Sequence, residues 1–417
     1  MIPKSYWKPL ALAISVFLFI SHRPVQAQSV SPQRFIPITP CRVVDTRTAS
    51  GPFGGPTLAG QTSRDFVIPN GACGIPGNAA AYSLNATVYP PGPLGYLTLW
   101  PTGQPQRFGW EVNSFTGRAK SNAAIVPAGT NGALSAFVSD PADLVIDING
   151  YFVPSNDISA LEFYPITPCR AADTRNPNGP LGGPALPAQG PRTFPILSST
   201  CGVPATAQAY ALNFWAVPQG PLGSLLAWPS GRSRPTALSL TSPLGTIVTN
   251  ATIVASGIGG GIDVYSTDAT HLIIDINGYF APAGTGSLAF NPVVPCRVLD
   301  SRLPAGTPPF STTKILNVAA SSCSLPATAK AYVFNATVVP PGPLGYLTLW
   351  PTGRPQPPVA TLNALDGAIT SNMAIVPTIA GSISGFPSNP THLVLDIFGY
   401  FAEAPETFFN YLPLLLR

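Results

Sequence analysis

Short segments of alternating apolar and polar residues, separated by prolines and glycines, run along most of this sequence. Ala81–Tyr89 alternates in this way, residues 90–95 form a turn rich in proline and glycine, and residues 95–100 alternate again. Further segments of the same kind follow at residues 121–127, 133–138 and 144–152. A period of two residues predicts β-strands, and no segment has a convincing helical period.

The same series of segments occurs three times. Each copy opens around a cysteine, and these residues, Cys41, Cys169 and Cys296, lie 128 and 127 residues apart. Each copy closes on an Asp-Ile-x-Gly-Tyr-Phe sequence, which ends at Phe152, Phe280 and Phe401. A repeat of about 125 residues is a domain rather than one rung of a solenoid. We therefore predict an all-β protein of three tandem antiparallel β-sandwich, jelly-roll-like domains joined by short linkers, at residues 33–153, 161–281 and 288–402.

The two ends of the chain differ from the repeats. Residues 1–27 combine two lysines, an apolar run and a small-residue site, which is the organisation of a secretory signal peptide. We expect cleavage between Ala27 and Gln28. The apolar segment 403–417 resembles the first strand of a further repeat without its cysteine. Such an orphan strand must be buried against the third copy, in the sheet of another molecule by β-augmentation, or by association with a membrane or the cell wall.

The scarcity of charge narrows the possible functions. Charged residues make up 9% of the chain, and loss of residues 1–27 lowers the formal net charge from +4 to +1. This balance predicts no attraction to nucleic acid or to anionic lipid. After signal cleavage no segment is long and apolar enough to span a membrane. With three histidines, no seryl nucleophile motif and no metal-ligand spacing, we expect no catalytic residues, no metal and no cofactor.

The six cysteines fall two to a copy. Six cysteines allow fifteen pairings in principle. Because each copy must be able to fold in the same way, we predict one disulfide within each. The pairs are Cys41–Cys73, Cys169–Cys201 and Cys296–Cys323. Secretion places them in an oxidising environment.

A set of arginines and aspartates is repeated in all three copies. Asp147 lies on the same strand face as Val145, so we expect it to be half-buried and paired with Arg42 or Arg47. The alternative is a pair of acids acting on a glycosidic bond, which three identical sites without a supporting histidine make the weaker interpretation. The predicted structural ion-pair cluster comprises Arg42, Asp45, Arg47, Asp147, Arg170, Asp173, Arg175, Asp275, Arg297, Asp300, Arg302 and Asp396.

Several aromatic residues are candidates for stacking against sugars. Trp100, Trp228 and Trp350 occur at the same place in each copy before a proline, which favours a packing role. Other aromatic residues vary among the copies, and varying positions are where a binding specificity would lie. The candidate glycan contacts are Tyr96, Trp110, Trp215 and Tyr346.

The combination of Cys-Arg-Val-Val-Asp-Thr-Arg, Gly-Tyr-Leu-Thr-Leu-Trp-Pro and Asp-Ile-x-Gly-Tyr-Phe resembles a family of secreted bacterial repeat domains. Its members occur in tandem or appended to exported hydrolases, and the domain has no assigned biochemical activity. The likeness covers nearly the whole mature chain. It implies an extracellular, non-catalytic β-module and supplies no ligand.

These observations predict a secreted protein that acts outside the cell or at its surface. Our first hypothesis is a non-catalytic structural or adhesive element, for which three tandem disulfide-bonded domains would make a rugged spacer. The second is a glycan-binding module whose partner is an extracellular polysaccharide. The third is a surface fibre that self-associates through the tail 403–417. A secreted hydrolase is disfavoured because no nucleophile and base are available together.

Overall fold

Each repeat folds into eight strands. The structure is a computed structural model that describes residues 31–106 and 109–404. The first repeat contains β1 (Gln33–Asp45), β2 (Thr62–Val67), β3 (Ala81–Tyr89), β4 (Leu94–Pro101), β5 (Val112–Ser114), β6 (Lys120–Pro127), β7 (Ala133–Val138) and β8 (Asp143–Pro154). The second contains β9 (Glu162–Asp173), β10 (Gly190–Pro195), β11 (Ala209–Pro218), β12 (Leu222–Pro229), β13 (Leu240–Ser242), β14 (Val248–Ala255), β15 (Gly261–Ser266) and β16 (Thr270–Ala281). The third contains β17 (Ala289–Asp300), β18 (Lys314–Asn317), β19 (Ala331–Val339), β20 (Leu344–Pro351), β21 (Leu362–Ala364), β22 (Thr370–Pro377), β23 (Ser382–Pro387) and β24 (His392–Ala402).

Helical structure in the described residues is limited to single turns. These are the 3₁₀ segments Ile68–Asn70, Thr130–Gly132, Ile196–Ser198 and Ile258–Gly260. The predicted signal peptide, with its cleavage site at Ala27 and Gln28, and the tail beyond residue 404 lie outside the described residues.

The strands of each repeat form two antiparallel sheets. In the first repeat one sheet has the order β2-β7-β4-β5 and is called the outer sheet. The other has the order β6-β3-β8-β1 and is called the inner sheet, because it packs against the neighbouring repeats. The second and third repeats use the same two orders. Two four-stranded sheets connected in this way make a jelly roll. The predicted all-β sandwich fold is therefore confirmed.

Each sandwich has its own apolar core between its two sheets. In the first repeat Tyr82 and Leu84 of β3 face Leu97 and Leu99 of β4 across this core. The opposite face of β3 carries Ser83, Asn85 and Thr87, which alternation alone would assign to solvent. These three side chains are also buried, because the inner sheet packs against the neighbouring repeats.

The three inner sheets meet around a common pseudo-threefold axis. At its centre six phenylalanines, two from each repeat, form an additional core. Rings of different repeats approach with centroid distances of 4.5 Å for Phe35–Phe280, 4.4 Å for Phe163–Phe401 and 4.7 Å for Phe152–Phe290. Each repeat thus contacts both others, and the ring is closed. The short linkers suggested a spacer of separate successive domains, whereas the three repeats pack against one another.

Main-chain pairing and side-chain amides close the same ring. Main-chain N–H groups of Phe35 and Leu161 donate to each other's carbonyl oxygens at 2.8 and 2.7 Å. Asparagine amides join the repeats in cyclic order: the Nδ2–H groups of Asn122, Asn250 and Asn372 donate at 2.8–2.9 Å to the Oδ1 atoms of Asn335, Asn85 and Asn213, respectively. Every repeat therefore donates to one neighbour and accepts from the other.

The repeated Asn-Gly or Phe-Gly step near the end of each copy is a β-bulge. Between β3 and β8 the register moves from Ser83–Gly150 to Leu84–Ile148. This shift leaves Asn149 as the one extra, unpaired residue that defines a β-bulge. Glycine is required next to it because the ring of Phe35 lies over Gly150. A Cβ atom at residue 150 would be 2.1 Å from Phe35 Cζ.

Candidate functional site

The disulfides join the opening strand of each repeat to a loop that follows the second strand. The structure contains Cys41–Cys73, Cys169–Cys201 and Cys296–Cys323, the three predicted pairs, with Cα–Cα distances of 5.7 Å. Each closes a loop of roughly 30 residues and contributes about 3–4 kcal/mol on the chain-entropy model. No thiol is free in the part of the chain that the structure describes.

The repeated aspartate near the end of each copy pairs with the first repeated arginine. Arg42 lies opposite Asp147 in the β1–β8 ladder, and its Nε–H and Nη2–H groups donate to the Oδ1 and Oδ2 atoms of Asp147 at 2.9 and 3.1 Å. The same two-point contact joins Arg170 to Asp275 and Arg297 to Asp396. Of the two predicted partners of Asp147, the structure pairs it with Arg42.

The remaining repeated charges form a second, more exposed pair at the end of the opening strand. Arg47 donates to both carboxylate oxygens of Asp45, at 2.8 and 2.7 Å. The corresponding pairs are Arg175–Asp173 and Arg302–Asp300. All twelve residues of the predicted cluster are thus engaged in ion pairs.

Two of the three buried aspartates also connect one repeat to the next. Asp147 Oδ2 accepts a hydrogen bond from the main-chain N–H of Leu238 at 2.7 Å, and Arg42 Nη2–H donates to Thr236 O at 3.0 Å. Asp275 accepts from Ala360 N–H in the same way at 3.4 Å. The sequence pattern indicated an ion pair within each repeat but gave no sign of this junction between repeats.

The surroundings of these carboxylates do not suit glycosidic chemistry. Burial raises the pKa of Asp147, and it raises the pKa of Asp275 to about 6. A glycosidase needs two carboxyl groups that flank a bound sugar. Asp147 is 2% exposed and its oxygens already accept three N–H groups, so a sugar cannot reach it. These contacts connect the opening and closing strands of one repeat and join that repeat to the next.

Two of the four candidate sugar-contacting aromatic residues lie together. Tyr96 and Trp110 stack with a centroid distance of 5.3 Å and an angle of 14°, and Tyr96 also contacts Phe137 at 5.6 Å. Both are half-buried. The other two are in different repeats: Trp215 lies beside the guanidinium of Arg170, at 5.8 Å, and Tyr346 lies 6.2 Å from Phe386. The packing role expected for Trp100, Trp228 and Trp350 agrees with their positions, because each is buried and its Nε1–H donates to a main-chain carbonyl.

A buried acid in the first repeat was missed in the sequence. Glu111 is 1% exposed, its Oε2 accepts from Leu99 N–H at 2.8 Å, and its Oε1 has no hydrogen-bond partner. Burial raises the pKa of Glu111 to about 8. The corresponding residues are Ser239 and Thr361, so comparison of the copies at this position could have revealed it.

The polar surface that closes the ring was also missed. The asparagines that bond between repeats occur in every copy, but their place in strands resembled solvent-facing positions.

Comparison with known proteins adds no assignment: no protein-family model matches this chain, and no curated protein matches it either. Within residues 31–106 and 109–404 no group of three or more His, Cys, Asp or Glu side chains is placed to hold a metal ion.

Proposed function

We propose that this chain is a secreted, non-catalytic extracellular protein with a structural or adhesive role. The observation that carries the proposal is the use of the repeated aspartates. Asp147 and Asp275 each bind an arginine of their own repeat and a main-chain N–H group of the next repeat. In a chain poor in charge, the acids that occur in every copy therefore serve assembly of the molecule.

An extracellular location is supported by the disulfides. Disulfide bonds persist in oxidising compartments and are rare where thiols are kept reduced. Three of them, one in each repeat, stabilise the described part of the chain. No helix among the described residues is long and apolar enough to cross a membrane. Secretion itself, through residues 1–27, and a bacterial origin remain part of the proposal.

Glycan binding is a second candidate, and the stacked pair in the first repeat favours it. Stacked aromatic rings form a rigid apolar surface, and sugar rings commonly bind to such surfaces through their C–H faces. Only the first repeat has both Tyr96 and Trp110, because the second has Ser224 and Leu238 at these positions and the third has Tyr346 and Ala360. A polysaccharide would then bind one face of the molecule and leave the corresponding faces of the other repeats free.

One experiment tests the structural or adhesive role against both alternatives. The mature chain from Gln28 is mixed with cellulose, chitin or peptidoglycan, and both tryptophan fluorescence and released reducing sugar are measured. Glycan binding through the stacked pair predicts fluorescence quenching that Trp110→Leu abolishes, since leucine is the residue of the second repeat, whereas a structural role predicts no quenching in any of these proteins. Trp215→Thr, which introduces the residue of the first and third repeats, is the matched control and should retain the quenching.

The same measurement identifies a hydrolase if the proposal is wrong. We expect no release of reducing sugar from any of the three polysaccharides. Turnover that Asp147→Asn removes without lowering the melting temperature would contradict a non-catalytic role. The third hypothesis, self-association into a fibre through the tail 403–417, stays a prediction, because residues 405–417 lie outside the described part of the chain.

A further inference from the structure

A cavity of about 50 Å³ lies where the three inner sheets meet at one end of the pseudo-threefold axis. Its wall is formed by β5, β6 and the hairpin between them, together with the corresponding segments of the other two repeats. A buried water needs roughly 10–15 Å³ of such space, so this cavity has room for about three to five waters or for one small ion.

The polar atoms in this wall are incompletely paired. Asn113 Nδ2, Asn363 Nδ2 and Thr249 Oγ1 are buried without a hydrogen-bond partner, and all three residues line the cavity. The second repeat has Thr241 where the others have asparagine, and its hydroxyl donates to Gly223 O at 2.7 Å. Leaving a buried donor unpaired costs about 1–3 kcal/mol, which a ligand that accepts hydrogen bonds would relieve.

Four ionisable side chains line the cavity, and they leave an excess of positive charge at neutral pH because one of them, Glu111, keeps its proton there. Arg118 forms an ion pair with Asp366 of the third repeat. Lys120 donates to the main-chain oxygen of Ile369 at 3.0 Å, and no carboxylate of the described residues lies within ion-pair distance of its ammonium group. Burial lowers the pKa of Lys120 to about 8, so its cationic form predominates at neutral pH. A buried cation without a counter-ion is costly, and an anion would offset that cost.

The architecture of the ring does not require these charges. The residues that correspond to Lys120 are Val248 in the second repeat and Thr370 in the third, and those that correspond to Arg118 are Thr246 and Ala368. Their backbones have the same strand and hairpin structure. The cations are therefore a property of this cavity and not a condition of folding.

We propose that the axial cavity binds a small monovalent anion, held by the Lys120 ammonium group and the buried amides of Asn113 and Asn363. Its volume limits the ligand to a halide or a carboxylate of one or two carbons. Because Arg118 is paired with Asp366 and Glu111 keeps its proton, the unbalanced charge of the wall is that of Lys120, which disfavours a metal ion as the occupant. Because these groups belong to the first and third repeats, the anion stabilises the contact between those two repeats and thereby the closed ring.

The test compares the effect of sodium chloride and of sodium formate on the melting temperature of three proteins. Lys120→Thr introduces the residue that the third repeat has at this position, so the variant should fold. Lys330→Thr removes an exposed lysine elsewhere and is the matched control. We expect both salts to raise the melting temperature of wild type and control by the same amount, and Lys120→Thr to lose most of this rise.

Crystals soaked in sodium bromide locate the ion directly by its anomalous signal. We expect a peak on the axis in wild type, no peak in Lys120→Thr, and displacement of the peak when formate is added. Equal salt dependence in all three proteins, or water alone in the cavity of the bromide-soaked crystal, would overturn the proposal. If the peak is lost in Lys120→Thr but formate does not displace it in wild type, the ligand is restricted to halides.

Discussion

Glu111 places an ionisable group in the wall of the axial cavity, with only part of its hydrogen-bonding capacity used. Its pKa is raised from an ordinary value of 4.5 to about 8, chiefly by burial, with a smaller contribution from the negative charge of Asp396. Lys120, 9 positions further along the sequence, has its pKa lowered from 10.5 to about 8 by burial. The two residues therefore affect stability in different pH ranges.

The free energy of unfolding should fall as the pH rises from 4.5 to 8. In this range Glu111 keeps its proton in the folded state and has lost it in the unfolded state, so each pH unit costs up to about 1.4 kcal/mol. Glu111→Gln cannot ionise, and we expect it to be more stable than wild type by an amount that grows up to pH 8. Above pH 8 the lowered pKa of Lys120 gives the opposite slope in both proteins.

Urea unfolding of both proteins at pH 5, 7 and 9 measures this difference. Glu403→Gln, at an exposed carboxyl group, serves as the control and should follow wild type. Asp275, whose pKa is about 6, contributes a slope at lower pH that all three proteins share. Parallel profiles for wild type and Glu111→Gln would show that Glu111 ionises normally in the folded state.

At the scale of the strand, the junction between β1 and β8 depends on one buried carboxylate. Asp147→Ala removes the two-point partner of Arg42, whose only remaining carboxylate contact is the 3.3 Å contact of its Nη1–H with Asp45 Oδ2. It also leaves Leu238 N–H unpaired in the next repeat. We expect a loss of roughly 3–5 kcal/mol in the free energy of unfolding, as for other buried pairs that lose one member. Asp45→Ala breaks the more exposed pair with Arg47, whose side chain is 37% exposed, and the longer 3.3 Å contact with Arg42, and it should cost about 1 kcal/mol or less.

Equilibrium denaturation of these two variants gives the comparison directly. The prediction fails if Asp147→Ala costs less than about 1 kcal/mol, or no more than Asp45→Ala. Asp275→Ala provides an independent repetition in the second repeat, where the same contacts are longer. We expect its cost to be smaller for that reason.

The positions of the strands could be predicted to a large extent from the sequence, whereas the burial of their polar face against other repeats could not. Alternation located β3, β6, β7 and β8 within a residue or two, because one face of each carries large apolar side chains. β5 has only three residues, too few for a period to be visible. The polar face of β3 was uninformative, because Ser83, Asn85 and Thr87 look the same in a sequence whether water or another repeat covers them.

For the whole molecule, the closed ring predicts that the three repeats unfold together. Separating one repeat would expose Phe35 and Phe152 and break asparagine pairs on both of its sides. Differential scanning calorimetry should therefore show one transition, with a calorimetric enthalpy close to the van't Hoff enthalpy. Gly278→Ala, which pushes a Cβ to 2.3 Å from Phe163 in the second repeat, should lower that single transition without splitting it.

Three resolved transitions, or a Gly278→Ala variant in which two repeats melt as in wild type, would contradict the cooperative ring.

The number of repeats and their disulfides were predictable because repetition is visible in any sequence. Closure was not, because it depends on contacts such as Asn122 with Asn335, whose positions differ by 213 residues. No local pattern distinguishes partners in a ring from neighbours along a rod.

A trimer of identical chains must place the same residue three times around its axis. Three ammonium groups at the position of Lys120 would repel one another inside a small cavity, and three valines would leave it without charge. Because all three walls belong to one polypeptide, lysine, valine and threonine can occupy this position together. Covalent linkage thus permits a threefold scaffold to carry a site without threefold symmetry, in which each copy can change while the others keep the assembly closed.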